Sequence, residues 1–173
     1  TIIASFEAGA VSYLYYADRI YQINLAIAGI AIGTVALPEL SKKIKINDWN
    51  GAHSIQNRSL ELCLLLSVPA CFGLIMASKE ITNALFGYGS FIEKDVILTA
   101  KALKYFGYGV PAFALIKVLS NFFFARDNTR TPFYVSFFSV VLNVLISVIY
   151  FKKIGFVIIP IATSIATWSA VLI

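Results

Sequence analysis

The sequence predicts an all-α integral membrane protein, built as a polytopic helix bundle. Hydrophobic residues make up 59% of its 173 residues and charged residues only 13%, whereas a soluble domain carries about 25% charged residues. The mean hydropathy is +0.81. Uncharged runs that suffice to cross the ~30 Å hydrocarbon layer of a bilayer recur along the whole chain. A signal peptide at one end therefore does not explain the composition.

About five membrane spans are predicted, the last of them unfinished, after the tail of a preceding helix in residues 1–10. The spans cover approximately residues 20–37, 62–78, 105–125, 131–151 and 156–173. Together they form a single membrane domain, residues 1–173. Pro38 is expected to stop the first span, and residues 39–61 are expected to form a polar connection.

Local signals shape several of these spans. Gly107, Gly109 and Pro111 are expected to bend the third span near its start. Pro69 interrupts the second span, where Ser67 is expected to help satisfy the freed carbonyl. In the fourth span, Thr131 suits the N-cap position and Pro132 the first helical position.

Small residues recur in the first span. They include Gly29 and Gly33, which form a GxxxG spacing. Such spacing lets a second helix approach closely in lipid, where no hydrophobic force drives helices together. The first span is therefore predicted to pack closely against a neighbouring helix.

Arg19 follows Asp18 at the start of an uncharged stretch that runs from residue 20 to residue 38. A charge there is expensive, and two interpretations remain open. Arg19 is either an interfacial anchor that snorkels or pairs with Asp18 within a tyrosine belt, or a cation in a polar cavity. In the cavity its planar fork would bind an anionic head group. On a helical wheel, Ser12, Tyr15, Tyr16, Gln22 and Ile23 surround Arg19.

Lys117 is the one charge within the third span. An intramembrane lysine is by default a functional hypothesis. The alternative is an ammonium group that bonds to helix carbonyls or to Asn121 one turn on. The sequence leaves a cavity-lining role and a structural role equally open.

Other chemistry is not indicated by the sequence. No nucleophile motif, phosphate-binding loop or metalloprotease motif occurs, so no enzymatic activity is expected. Cys63 and Cys71 lie about 12 Å apart along one predicted helix, too far for a disulfide. With His53 as the single histidine, no metal site and no cofactor are expected. The +5 net charge lies in short loops, which suggests membrane topology rather than nucleic-acid binding.

The loop charges predict the orientation. Two loops on one side of the membrane carry the larger number of basic residues, and this side is predicted to be cytoplasmic. The basic residues of these two loops are Lys42, Lys43, Lys45, Arg58, Arg126 and Arg130. Arg19 then begins near the outer side or reaches into a cavity from it.

Several segments, in this order, resemble the MurJ (MviN-type) lipid II flippases. They are SYLYYADRI at residues 12–20, GIAIGT at 29–34, LPELS at 37–41, KVL at 117–119 and FARDNTRTP at 124–132. The resemblance extends over essentially all 173 residues. It implies two six-helix lobes around a central cavity, as in related polysaccharide and multidrug exporters. This chain resembles most of the second lobe, so the first lobe of the same protein is an expected partner.

The resemblance implies that Arg19 faces the cavity and serves the diphosphate of lipid II. It places Asp18 and Ser12 beside Arg19, and the predicted substrate-binding set also includes Tyr16 and Lys117. A separate cytoplasmic loop motif comprises Arg126, Asp127, Thr129, Arg130 and Pro132, which also fits a capped turn in which Asp127 pairs with an arginine. Gln22 stands where several members of the family have an acidic residue, so a proton- or cation-linked role is not indicated there.

The predicted function is therefore a part of a non-enzymatic flippase that moves the lipid-linked peptidoglycan precursor across the bacterial inner membrane by alternating access. Membrane lipids are the other expected partners, and nucleic acid is not. One alternative is a related polysaccharide or multidrug exporter. Another is a structural fragment of a split or truncated gene, because the chain begins without Met and ends inside an apolar run.

Overall fold

The computed structural model describes residues 9–173, and this part of the chain is helical without a β-strand. Most of the predicted helix tail, residues 1–8, lies outside the described residues. The elements in order are α1 (Ala10–Leu25), a π-helical segment (Ala26–Ala31), α2 (Ile32–Lys45), α3 (Trp49–Met76), α4 (Ser78–Phe86), α5 (Glu93–Gly107), α6 (Val110–Phe124), α7 (Arg130–Ile154), a 3₁₀ turn (Gly155–Val157) and α8 (Ile158–Leu172). The all-α prediction is confirmed.

Three helical stretches in the described part are long and apolar enough to cross a membrane. They are Ala10–Lys45, Trp49–Met76 and Arg130–Leu172. The bent pair of α5 and α6 gives a fourth if it counts as one span. The helix number therefore agrees roughly with the sequence prediction, and the composition is that of a membrane protein.

The longest stretch, from α7 through α8, turns back on itself. Gly155 has a φ of 74°, in the left-handed region that favours glycine. Asn143 Nδ2 donates to Thr163 Oγ1 at 2.8 Å, whereas a straight helix would separate these residues by about 30 Å. Helices α7 and α8 therefore form an antiparallel hairpin of two helices rather than one long helix.

The predicted stop at Pro38 is wrong, because the helix continues through Pro38 to Lys45. Leu40, beyond the proline, is 1% exposed and packs in a cluster with Ala36 and Ala52. Burial of a leucine side chain stabilises by about 2 kcal/mol, which offsets much of the ~3 kcal/mol cost of an interior proline. The predicted polar connection of residues 39–61 is likewise wrong, since only residues 46–48 separate α2 from α3.

Helix α3 also contains a proline, Pro69, without a break. The expected help from Ser67 is not found, because the Ser67 hydroxyl is buried and has no hydrogen-bond partner in the described part of the chain. The surrounding packing supports the helix instead. Cys63 and Leu74, on either side of the proline, are buried in two different apolar clusters.

The turn between α2 and α3 is held by Asp48. Its carboxylate accepts hydrogen bonds from Lys43 Nζ at 2.7 Å and from the Gly51 amide at 2.9 Å, so it caps α3. The bond from Lys43, followed by the bond from Gly51, holds the pKa of Asp48 below its ordinary value. A carboxyl with a lowered folded-state pKa stabilises the fold above its unfolded pKa of about 4, and this contribution is lost as pH falls through the folded-state pKa.

Substitution of Asp48 is expected to change the acid sensitivity of the fold. Asp48→Ala should lower the melting temperature in detergent by a few degrees at pH 7. Asp48→Asn keeps an oxygen for the Gly51 amide but loses the ion pair with Lys43. Its deficit against the unsubstituted protein should shrink as the pH falls below about 4 and passes through the lowered folded-state pKa of Asp48. A deficit that stayed constant over thermal scans from neutral to acid would contradict this role.

The bend predicted near Gly107, Gly109 and Pro111 is confirmed, because α5 and α6 meet at 45°. Two side chains of α8 satisfy carbonyls at this bend. Ser164 Oγ donates to the Tyr105 carbonyl at 2.8 Å, and Trp168 Nε1 donates to the Tyr108 carbonyl at 2.9 Å. The break is thus held by α8 rather than left flexible.

The main core lies where α1, α3 and α5 meet the start of α6 and the 3₁₀ turn before α8. Its aromatic centre is Tyr21, whose ring lies 5.4 Å from that of Phe106 and 5.1 Å from that of Phe113. Helix α7 lies at the periphery, and Ser147 is its only buried residue. The large apolar side chains that cover α7 are therefore exposed, as expected for a helix that faces lipid.

Candidate functional site

Arg19 lies on an exposed face of α1 in the bundle. Its Nη2 atom donates a hydrogen bond to the Tyr15 hydroxyl at 2.7 Å. The same guanidinium lies 4.8 Å from the centre of the Tyr15 ring, within the range of a cation–π interaction. Tyr15 therefore holds the guanidinium against the helix surface, and its spacing of four residues from Arg19 was the sequence signal for this contact.

Asp18 does not pair with Arg19. The Asp18 carboxylate accepts a hydrogen bond from Gln22 Nε2, one turn further along α1. The ion pairs found between described residues are Lys43–Asp48 and Lys79–Glu93. The geometry thus lacks the Asp18 pairing that the interfacial-anchor interpretation could have used.

Tyr16 and Ser12 differ in their surroundings. Tyr16 is half-buried, and its ring lies 4.8 Å from that of Phe86 and 5.4 Å from that of Phe91. These contacts pack it against the connection between α4 and α5. Ser12 is exposed on α1, one turn before Tyr15. The face around Arg19 therefore includes Ser12 and Tyr15, while Tyr16 is largely used in packing.

The start of α1 is also tied to α5. The Tyr13 hydroxyl donates to Asp95 Oδ1 at 2.8 Å, and the other oxygen of Asp95 accepts from the Ile92 amide at 3.0 Å. Asp95 thus caps α5 and holds α1 at once. Because α1 is fixed at this end, Arg19 is presented on a rigid helix.

Lys117 lies on α6 and is exposed. A Cβ on Gly29 would lie 3.5 Å from Lys117 Cβ, so Lys117 borders the close contact of the first span with α6. Arg19 is ten residues from Gly29, about 15 Å along the helix. The structure therefore does not join Lys117 and Arg19 into one cluster. The Asn121 amide lies beside Gly33, where an added Cβ would collide with it.

The first span contains a π-helical segment, Ala26–Ala31, that the sequence analysis did not predict. Its wider turn includes Gly29, which lies close enough to α6 that an added Cβ would lie 3.2 Å from Ala114 Cα. The predicted close packing of the GxxxG face is therefore confirmed, and its partner is α6. π-helical segments are frequent at functional sites, and this one lies in the same span as Arg19.

The loop between α6 and α7 is built around Arg126. Its guanidinium lies 4.0 Å from the centre of the Phe122 ring and 5.0 Å from that of Trp49, so the side chain bridges α6 and α3. Asp127 is exposed and has a φ of 55°. No ion pair from Asp127 to an arginine is found among residues 9–173, so the expected pairing is absent.

The cap of α7 also differs from the expectation. Asn128 Oδ1 accepts a hydrogen bond from the Thr131 amide at 3.2 Å, and Asn128 Nδ2 donates to Thr131 Oγ1 at 3.0 Å. The helix begins at Arg130, so Thr131 and Pro132 lie in its first turn and Thr129 precedes it. Asn128, and not Thr131, therefore accepts an amide of the first turn of α7, and Thr131 is the donor rather than the cap.

The apolar helices are long enough to cross a membrane, and glycines allow them to pack closely. These features define a helix-bundle membrane protein. A family profile described as "Lipid II flippase MurJ" matches residues 1–173. The chain belongs to the MurJ lipid II flippase family.

Curated relatives agree with this assignment. A protein of Rickettsia prowazekii (strain Madrid E), named "Probable lipid II flippase MurJ", is 43% identical over 166 residues, which cover 96% of this chain and 33% of the relative. A protein of the same name from Rhizobium meliloti (strain 1021) is 42% identical over 168 residues, covering 97% of this chain and 31% of the relative. The chain thus spans about one third of the length of these relatives.

A solved structure shows the same fold. The structure described as "Lipid II flippase MurJ, inward closed conformation" superposes with a TM-score of 0.90 at 30% sequence identity. The match covers 98% of this chain and 36% of that one. The arrangement of α1 to α8 is therefore that of one part of a larger flippase.

Proposed function

We propose that this chain forms part of a lipid II flippase of the bacterial inner membrane, in which Arg19 binds the diphosphate of the lipid-linked precursor. The observation that carries the proposal is the exposed guanidinium of Arg19 at the start of an uncharged helical stretch, residues 20–38, in a chain that the family profile matches throughout. The first lobe of the same protein supplies the opposite wall of the cavity. The protein moves its substrate by alternating access and performs no catalysis.

The cost of the charge supports a ligand at Arg19. A charged side chain within a membrane segment is costly, up to about 3 kcal/mol at the centre of the helix on insertion scales, so such residues are kept where a partner or a cavity uses them. The Tyr15 hydroxyl accepts one N–H of Arg19, and a guanidinium has five N–H donors in a planar fork. A diphosphate matches the remaining donors in charge and in geometry.

The other predicted site residues receive different roles in this proposal. Ser12 adds a hydroxyl on the same exposed face. Asp18 is occupied by Gln22, so it positions the face rather than contacting an anion. Tyr16 fixes the first half of α1 through its contacts with Phe86 and Phe91. Lys117 contributes positive potential about 15 Å further along the cavity.

The cytoplasmic loop motif is assigned a structural role. The side chain of Arg126 is spread over two aromatic rings, and Asp127, Thr129 and Arg130 are exposed around the capped turn. Pro132 is compatible with the first turn of α7 because its missing N–H is not needed there. This loop sets the angle between α6 and α7 and does not contact the substrate.

The flippase function is tested by measuring the outer-leaflet accessibility of lipid II in cells depleted of their own flippase. A chimaera in which this chain replaces the corresponding third of a relative should restore accessibility. Matched cells should receive the 173-residue chain alone. Loss of accessibility with a well-expressed chimaera would favour a polysaccharide or multidrug exporter. If the chimaera is absent from the membrane and restores accessibility no better than the 173-residue chain alone, a non-functional fragment would be favoured.

The proposed topology places α7 across the membrane from the cytoplasm outward. A single cysteine in place of Lys153, in a variant without Cys63 and Cys71, should react with an impermeant maleimide in intact cells. A cysteine in place of Asn128 should react only after the membrane is opened. The reverse pattern of labelling would contradict the assigned orientation.

A further inference from the structure

Two exposed lysines of α5 lie one helical turn before the tyrosines of an apolar groove. Lys101 and Lys104 are exposed on α5. Tyr105 and Tyr108 follow at positions three to four residues on, so all four residues share one helical face. Tyr105 and Tyr108 line a groove of about 720 Å³ between the bend of α5 and α6 and helix α8.

The lining of the groove suits an apolar occupant. Pro111, Ile161 and Ile165 contribute apolar surface. The three polar groups on its α8 side are already used, since Ser164 Oγ donates to the Tyr105 carbonyl, Trp168 Nε1 donates to the Tyr108 carbonyl and Ser169 Oγ donates to the Ile165 carbonyl. A polar ligand would therefore find few free hydrogen-bond partners there, whereas a hydrocarbon chain needs none.

The lysines lie at the depth of lipid head groups. Lys104 and Arg126 are 22 positions apart, which is about 33 Å along the helices before the bend shortens this distance. This matches the ~30 Å thickness of the hydrocarbon layer. With Arg126 at one surface, Lys104 lies at the opposite one. Neither Lys101 nor Lys104 forms an ion pair with a carboxylate in the described part of the chain.

The groove runs from this surface toward the middle of the membrane. Its lining on α8 extends from Ile161 to Leu172, about 16 Å along the helix. That length equals roughly half of the hydrocarbon layer, the depth of one acyl chain in one leaflet. An isoprenoid of much greater length would extend far beyond it.

We propose that Lys101, Lys104 and this groove bind one anionic glycerophospholipid, with its phosphate at the two ammonium groups and one acyl chain along Tyr105, Tyr108 and α8. The positive charges complement the phosphate, and the apolar groove complements the chain. With the orientation proposed above, the lipid belongs to the outer leaflet. The lipid would brace the bend between α5 and α6 from outside.

The chain contains two tryptophans, which makes the groove directly observable. Trp168 lines the groove, whereas Trp49 lies near Arg126 at the other end of the bundle. In a Trp49→Phe variant, fluorescence reports on Trp168 alone. Phenylalanine keeps an aromatic ring for Arg126, so this background should fold normally.

The test uses vesicles that contain phosphatidylglycerol and phosphatidylcholine in a ratio of one to four. Brominated acyl chains, which quench tryptophan at short range, are placed on either lipid in separate preparations. Lipids in random contact would give stronger quenching from brominated phosphatidylcholine, in proportion to its amount. The proposal predicts that brominated phosphatidylglycerol quenches Trp168 at least as strongly, which is an enrichment of about fourfold or more for two lysines near the surface.

Matched variants separate the site from general attraction to the membrane. Lys101→Gln with Lys104→Gln should abolish the enrichment, whereas Lys101→Arg with Lys104→Arg should keep it. Lys152→Gln with Lys153→Gln removes the same charge elsewhere and should have no effect. The proposal would be overturned if the control pair lost the enrichment equally. It would also be overturned if quenching in the Trp49→Phe background simply followed the bulk lipid composition. The absence of quenching from both lipids, which indicates that a protein segment or a second copy fills the groove, would overturn it as well.

Discussion

Replacing Arg19 with alanine is expected to abolish growth supported by a chimaera that carries this chain, while the amount of protein in the membrane stays unchanged. The side chain is exposed and contacts the described bundle through Tyr15, so its loss removes little packing. Hydrogen bonds to charged groups contribute about 1.5–3 kcal/mol each. Loss of a bidentate contact should therefore weaken substrate binding by at least about a hundredfold. Complementation of a depletion strain, with a membrane immunoblot, measures both effects.

The substitution Arg19→Lys separates the two interpretations of this residue. A lysine keeps the charge but not the planar pair of donors, so it should restore growth poorly if Arg19 binds a diphosphate. An interfacial anchor would tolerate lysine almost freely. Arg58→Ala, at an exposed arginine on α3, is the matched control and should support normal growth. Normal growth with Arg19→Lys at normal expression would return Arg19 to the role of an anchor.

Replacing Gly29 with leucine is expected to destabilise the bundle by about 3 kcal/mol or more, at the upper end of the usual cost of overpacking. A Cβ alone would already lie 3.2 Å from Ala114 Cα and 3.3 Å from the Leu25 side chain. The nearer of these atoms belongs to the backbone of α6, so relief requires the two helices to move apart. Thermal unfolding in detergent, followed by the loss of monodisperse protein, measures the change.

Gly73 supplies the matched control for this prediction. It also lies within a long helix, but an added Cβ would meet nothing within 4 Å. Gly73→Leu should therefore leave the melting temperature unchanged or raise it slightly, because leucine has a higher helix propensity. Equal destabilisation by both substitutions would mean that glycine itself, and not the close contact with α6, sets the stability of this region.

Much of the fold could be predicted because membrane helices have a recognisable apolar composition. Long uncharged runs indicated helices apolar enough to cross a membrane, and Gly107, Gly109 and Pro111 indicated the bend. The GxxxG spacing indicated close packing, although its partner, α6, could not be identified from a local pattern. Patterns of this kind lie within one helix, so they can be recognised in the sequence without knowing which helices are its neighbours.

The errors arose where tertiary packing outweighs a local signal. Pro38 does not end its helix, because Leu40 beyond it is buried against neighbouring helices. The polarity of residues 39–61 suggested a loop, but charged residues also cover helices that extend beyond the membrane. Helix α4 was missed because nine residues, Ser78–Phe86, give too short a pattern.

The candidate site was only partly accessible to sequence reasoning. A helical wheel placed both Tyr15 and Tyr16 near Arg19, and the structure gives the contact to Tyr15. Tyr16 instead packs on Phe86 and Phe91, residues about seventy positions away that no wheel of α1 contains. The π-helical segment was not predicted by any local pattern, and it contains Gly29, which packs closely against α6.

Whether the planar guanidinium of Arg19 binds a diphosphate can be measured directly as a binding preference. Native mass spectrometry of the purified chimaera should compare undecaprenyl diphosphate with undecaprenyl monophosphate, which share the same tail. We expect the protein to bind the diphosphate at least about tenfold more tightly, and we expect Arg19→Lys to remove this preference while leaving binding of the tail intact. An equal preference in the Arg19→Lys variant and in the unsubstituted protein would contradict this expectation.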